Sequence, residues 1–274
     1  MQTVLLPSGA RIAYDDLGPQ PKLPVFLVHG HPFDRSMWGP QAEYLARYGH
    51  RVVVPDLRGY GESTGPAVNG LEDFAEDLLG LADHLGLGRF ALGGLSMGGQ
   101  IVMQTVRDYP ERIAALLLAD TFAEPETAEG KAARNQAADR VLAEGMTAYA
   151  DELLPKMVSP GTLRSTPEVA GHVQKMMRDA PAAGAAAALR ARAKRPDYRD
   201  SLKQVDVPTL VAVGSEDEFT PVADAQLLHQ LVAGSELVVL DGAGHLPNLE
   251  RAAEFNDVFG RFLDQVRPDH AEER

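Results

Sequence analysis

Glycines two residues before and two residues after a serine, in Gly94-Leu95-Ser96-Met97-Gly98, suit a strand that turns sharply into a helix. Such a turn strains its central residue, and side chains at the flanking positions would obstruct it. The serine oxygen then stands above the sheet at the positive end of a helix. An incidental serine in a glycine-rich turn fits the bare pattern too. Here, however, the motif lies between an apolar strand, Phe90 to Leu92, and an amphipathic helix, Met97 to Tyr109, which favours a nucleophile.

A serine hydroxyl reacts only when a base takes its proton. His245, in Asp241-Gly242-Ala243-Gly244-His245, follows the last strong strand and heads the final helix, the best place for that base. A carboxylate must fix the imidazole tautomer, and Asp217 follows the preceding strand. The chain order Ser96, Asp217, His245 is the order that accompanies this type of elbow. Asp120, ending the strand Ala114 to Ala119, competes for the acid role, as do Glu216 and Glu218 beside Asp217. Acyl transfer also needs two backbone donors for the oxyanion. The Met97 N–H is one. The loop His29-Gly30-His31-Pro32-Phe33-Asp34 supplies the second, from His31, with Phe33 as the alternative.

Other motifs read more plainly. His29, His31 and Asp34 resemble the start of some metal-hydrolase motifs, but no later His/Asp pair completes a ligand set, so no metal and no cofactor are expected. His29 reads as a loop brace. His50, His84, His172, His229 and His270 read as helix or surface residues. The Gly-x-Gly of residues 55–64, PDLRGYGEST, lacks the Lys-Ser/Thr of a phosphate loop, and it reads as a turn held by Asp56 and Arg58. Asp73, Glu76 and Asp77 read as the solvated face of a helix.

The elements that must position these groups alternate. Short apolar strands are expected at residues 4–6, 12–14, 25–28, 52–54, 90–92, 114–119, 210–214 and 237–240, with helices at 41–48, 71–85, 97–109, 222–231 and 249–266. That rhythm predicts an α/β class with a mostly parallel eight-stranded sheet flanked by helices. Residues 121–200 interrupt it. They are rich in Ala and Met, broken by Pro125, Pro155, Pro160, Pro167, Pro181 and Pro196, and offer no comparable strand. They read as a helical cap inserted in a core of residues 1–120 and 201–274, with AAGAAAALRARAKR as one of its helices. Residues from Pro268 onward read as frayed.

Composition bounds the partners. In 274 residues, 26 Lys+Arg face 39 Asp+Glu for a net charge of −13, which argues against nucleic acid and anionic membrane as partners. Zero cysteines exclude a thiolate nucleophile and disulfides. No apolar run is long enough to span a membrane, and the N-terminus reads as strand, turn and strand rather than a signal peptide, so a cytoplasmic location is expected. Homo-oligomerisation is left open.

The His29-Gly30-x-Pro32 loop, the Pro55-Asp56-x-Arg58-Gly59-x-Gly61 turn, the Ser96 elbow, Gly214-x-x-Asp217 and Gly244-His245 together resemble the α/β-hydrolase superfamily. HGHPFDRSMW and GLSMGG are most similar to small bacterial serine esterases and to the 3-oxoadipate enol-lactonase group. The resemblance implies the α/β-hydrolase fold and hydrolysis of a small-molecule carboxylic ester or lactone through an acyl-enzyme on Ser96. Cofactor-free perhydrolases and C–C bond hydrolases share this triad, and a slow-turnover ligand-binding sensor on the same fold is a further alternative. Specificity is assigned to the cap, with Phe33, Trp38, Phe122, Met146 and Met157 as substrate-binding candidates and Met37, Met176, Met177 and Leu189 as further lining; plain helix-packing core fits the cap residues as well, and a loop anchor fits Met37 and Trp38. The net charge disfavours an anionic substrate at long range, although Arg134, Arg164, Arg190 or Arg192 could meet one locally.

Overall fold

Apolar residues in unbroken runs make strands that must be covered on both faces, and five such strands form the centre of the sheet. These are β3 (Val25–Val28), β4 (Val52–Pro55), β5 (Phe90–Leu95), β6 (Ile113–Ala119) and β7 (Thr209–Gly214), each buried along its whole length. β8 (Glu236–Leu240) closes one edge in parallel with β7. At the other edge β1 (Gln2–Leu5) and β2 (Arg11–Leu17) pair antiparallel, and β2 runs antiparallel to β4. The order is β1-β2-β4-β3-β5-β6-β7-β8. The computed structural model describes residues 1–19 and 22–266, so His270 and the segment from Pro268 lie outside the described residues.

Alternate side chains of each strand serve different helices. Phe26 and Val28 of β3 join a core with Phe74 and Leu78 of α2 (Leu71–His84) and Ile101 and Val102 of α3 (Met97–Asp108). Val25 and Leu27 face a second core with Leu45 of α1 (Gly39–Arg47) and Phe255, Phe259 and Phe262 of α12 (Ala252–Gln265). The single helix expected at 249–266 is instead α11 (Pro247–Glu250) and α12, broken at Arg251, which donates to the carbonyls of Asp241 and Gly242.

Between β6 and β7 the chain is helical throughout: α4 (Ala128–Glu144), α5 (Met146–Met157), α6 (Pro160–Ser165), α7 (Pro167–Asp179), α8 (Ala182–Ala193) and α9 (Arg199–Leu202). Most prolines sit in the first turn or just before it, where no N–H is needed. Pro155 differs, lying within the last turn of α5 without ending it at once. The alanines of α8 let it pack closely on α4. Its Gly184 meets Gly59 of the 55–64 turn so tightly that a Cβ on Gly184 would lie 1.8 Å from the Gly59 oxygen. α10 (Val222–Leu231) follows β7. No helix of the described residues is long and apolar enough to cross a membrane.

Asp77 corrects the sequence reading of a solvated helix face. It is buried, because that side of α2 turns toward the 55–64 turn, and it accepts Arg58 Nε at 2.7 Å and Nη2 at 2.5 Å, with Ser8 Oγ at 3.0 Å. Removing one partner would strand a buried charge. Asp77→Ala should therefore lower stability by about 3–5 kcal/mol in urea denaturation. The double variant Arg58→Met/Asp77→Leu should recover most of that loss; equal losses in both would show that the pair itself, rather than the orphaned charge, matters.

Candidate active site

The C-terminal ends of the parallel strands carry the groups singled out by the sequence. Ser96 links β5 to α3 with φ 57° and ψ −116°, a backbone conformation that L-residues rarely adopt. Three hydrogen bonds hold it there. Its N–H donates to the Ala119 carbonyl at 2.9 Å, and its carbonyl accepts Thr121 Oγ1 at 2.8 Å and the Gln100 N–H at 3.1 Å. Gly98 allows α3 to start hard against β3, since a Cβ there would lie 2.1 Å from the Val28 oxygen.

His245 and Asp217 meet although they come from loops after different strands. His245 Nδ1 donates to Asp217 Oδ2 at 2.7 Å, and both side chains are buried. Asp217 Oδ1 accepts the N–H groups of Phe219 at 2.8 Å and Thr220 at 3.2 Å, while Thr220 Oγ1 donates to Oδ2. Burial opposes ionisation of Asp217, but its interaction with His245 and these donors outweigh it and hold the carboxyl below its usual range. Among the described residues no hydrogen bond joins Ser96 Oγ to His245. Such bonds are often loose before substrate arrives.

The loop after β3 lies over the elbow, a Cβ on Gly30 being placed 3.3 Å from that of Ser96. His29 Nε2 accepts the Leu57 N–H at 3.0 Å, so its Nδ1 carries the proton donated to the Gly30 carbonyl at 2.8 Å. Both nitrogens are thereby engaged, and the ring braces the loop in the neutral form that burial favours. His31 Nδ1 lies 2.6 Å from Tyr60 Oη and Nε2 3.1 Å from Tyr149 Oη. Burial, with Arg192 and Arg134 adding to it, pushes His31 well below its ordinary value. Asp34 caps a turn at Ser36, so the three residues of the metal alternative do not converge. The Phe33 N–H, the alternative oxyanion donor, donates to the Gly30 carbonyl at 3.1 Å. The His31 and Met97 N–H groups have no acceptor among the described residues. The His31–Pro32 peptide is cis.

The proposed lining divides. Trp38 is fully buried against Phe255 with ring centroids 6.0 Å apart, which ties the residues after the loop to α12. Met37 is equally buried, and its carbonyl accepts Asn248 Nδ2. Phe33, Met157, Met176 and Met177 pack in the core shared with α12, and Met146 and Leu189 in the other. Phe122 is half-buried beneath the Arg195 guanidinium, 4.4 Å from its ring centre. His50, expected on a helix or the surface, is buried and bonded to the Leu23 carbonyl.

Several groups at the site escape sequence reasoning. Phe219 packs edge-on to His245 at 5.1 Å. Glu250 is buried and accepts the N–H groups of Gly244 at 2.9 Å and Leu246 at 3.3 Å, together with Ser159 N–H at 2.7 Å and Thr162 Oγ1 at 2.8 Å. It thus ties both sides of His245 to the start of α6. The only sequence signal for it was its nearness to His245.

Residues 24–252 match the α/β-hydrolase fold family, and the chain belongs to it. It is 31% identical over 222 residues to 3-oxoadipate enol-lactonase 2 of Acinetobacter baylyi, covering 81% of each chain. A thermophilic esterase from Thermogutta terrifontis, solved with malate bound, superposes with a TM-score of 0.94 at 41% identity over 97% of this chain and 99% of that one. The enol-lactonase from Burkholderia xenovorans LB400 gives 0.89 at 29% identity over 96% of this chain and 100% of that one.

Asp120 is the remaining carboxyl. It too has a left-handed backbone, φ 44°, and its Oδ1 accepts the Gly214 N–H at 2.9 Å while Oδ2 is buried with no hydrogen-bond partner among the described residues. Ligand atoms of Asp120, Asp217 and His245 all lie within 4.8 Å of one another. The hydrogen bond to His245 belongs to Asp217, so the alternative acid is a neighbour of the pair. Burial and the negative charge of Asp217 push the Asp120 carboxyl well above its usual range. A carboxyl that keeps its proton in the folded chain and loses it on unfolding stabilises the fold at low pH and does so less as pH rises. Asp120→Asn keeps an acceptor for Gly214 and removes that loss. Above the ordinary carboxylate range the variant should gain on wild type as pH rises, by up to about 1.4 kcal/mol per pH unit in denaturant titrations; parallel pH profiles would mean that Asp120 is ionised.

Proposed function

We propose that the chain hydrolyses a small carboxylic ester or lactone through an acyl-enzyme on Ser96, with residues 121–200 acting as a cap on a core of residues 1–120 and 201–274. The observation that carries this reading is the buried His245–Asp217 hydrogen bond of 2.7 Å at the sheet edge where Ser96 is held. With Nδ1–H committed to Asp217, His245 Nε2 is the nitrogen free to act as base.

As Ser96 Oγ bonds to the carbonyl carbon, its proton passes to Nε2, and the carbonyl π pair moves onto oxygen. The His31 and Met97 N–H groups stabilise that oxyanion. Collapse breaks the bond to the alkoxy group, which leaves with the proton from His245. Water then repeats the sequence on the acyl-enzyme and releases the acid, restoring Ser96. Asp217 keeps the imidazole oriented and favours its cationic form at both steps. The similarity to esterases and enol-lactonases supports an ester or lactone as the bond cleaved.

Ser96→Ala should lower kcat/KM on 4-nitrophenyl acetate by about 10⁴-fold or more while the circular dichroism spectrum stays that of wild type. Turnover by the variant within tenfold of wild type would overturn the acyl-enzyme.

A further inference from the structure

Two groups settle where His245 Nε2 points. Asp217 fixes the rotation of the ring through Nδ1, and the main chain on either side of the histidine fixes where the ring starts. That main chain is tightly placed. A Cβ on Gly244 would lie 2.7 Å from the Ser159 nitrogen, and one on Gly214 of β7 would lie 2.0 Å from the Gly244 oxygen. Residue 244 therefore sits between the sheet and the helical segment that joins β6 to β7, with no room for a side chain. The N–H groups before and after the histidine, those of Gly244 and Leu246, both end on Glu250 Oε1.

Glu250 is 7% exposed, and its partners among the described residues are four donors, none of them cationic. Oε1 faces the histidine loop. Oε2 faces the segment between β6 and β7, where it accepts the Ser159 N–H at 2.7 Å and Thr162 Oγ1 at 2.8 Å. Ser159 and Thr162 are themselves buried and bonded to each other, Ser159 Oγ accepting the Thr162 N–H and donating to Thr162 Oγ1, both at 3.1 Å. A buried charge without a counter-ion is costly unless donors surround it. The carboxylate has a chemical reason to be here. Both surfaces present donors, and a group that accepts through two oxygens can join them, whereas a glutamine would turn its NH₂ toward one set.

We propose that Glu250 is a positioning residue for His245, holding the base in line with Ser96 only while residues 159–162 are seated on the same carboxylate. This rests on the reading of Ser96 and His245 as nucleophile and base. The main chain of Gly244 and Leu246 sets the His245 Cα, and a displacement of about 1 Å takes a catalytic group out of productive geometry. Misplacement weighs most on a leaving group that needs a proton. 4-Nitrophenolate departs unprotonated, whereas ethoxide must take the proton that His245 Nε2 received from Ser96.

The test compares 4-nitrophenyl acetate with ethyl acetate, which share an acyl group, in wild type, Glu250→Gln and Thr162→Val, with rates normalised to the fraction of Ser96 labelled at completion by a fluorophosphonate. The ratio of the two kcat/KM values, nitrophenyl over ethyl, should rise about tenfold or more in Glu250→Gln. In Thr162→Val, which removes one donor and leaves Glu250 and His245 in place, it should rise about threefold or more. A loss of folded protein lowers both rates together and leaves the ratio alone. A ratio within about twofold of wild type in either folded variant overturns the proposal, and Thr162→Val carries the test alone if Glu250→Gln does not fold. The low-field NMR resonance of the His245 Nδ1 proton keeps the two readings apart. If wild type cleaves neither ester, the acyl-enzyme reading falls, and the positioning role stands if that proton exchanges with water faster in the variants than in wild type; equal exchange removes it as well.

Discussion

A serine held at φ 57° is the constraint on which the site depends. The conformation is unfavourable for a residue with a side chain, and it persists because the surroundings fix it from several directions. The Ser96 N–H is taken by β6, its carbonyl by Thr121 and by the first turn of α3, and the helix can begin where it does because Gly98 carries no side chain against β3. Each of these partners belongs to a different element. The turn is thus fixed by contacts with β3 and β6, and the loops after β3, β7 and β8 emerge on the same edge as the serine.

The buried charges around this edge are handled in contrasting ways. Asp56 accepts from the N–H groups of Arg35 and Glu62 and pairs with the Arg35 side chain. Arg58 and Asp77 neutralise each other, and Glu250 is surrounded by donors. Asp217 stays ionised against His245 while its neighbour Asp120 is pushed toward the neutral form. A burial cost is offset locally in each case, by a partner or by a proton. Arg192 departs from this pattern, since neither remedy is available to it within the described chain.

The sheet was legible because its strands are continuous apolar runs, and the elbow, Asp217 and His245 were legible because each is announced by glycines within a few residues. Strand and helix limits moved by only a few positions. What escaped the sequence reading depends on contacts between distant segments. Asp77 and Asp73 sit in the same helix and look alike in sequence, yet only Asp77 faces Arg58. Trp38 follows the loop after β3 closely enough for pocket wall and loop anchor to fit the sequence equally, and its contact with Phe255 of α12 is visible only in the packing. The arginines of the insertion were interchangeable in sequence, and pairing distinguishes them.

Glu250 adds a polar attachment of the helical segment between β6 and β7, beside those through Gly184, Tyr149 and Arg192. Its carboxylate accepts from Ser159 and Thr162 on one side and from Gly244 and Leu246 on the other. Exchanging this segment for that of a relative therefore changes more than its own helices. A transplanted segment without a hydroxyl-bearing helix start in the same place would leave a buried carboxylate short of donors beside the histidine. Recombination points for chimeras belong where this clamp travels intact.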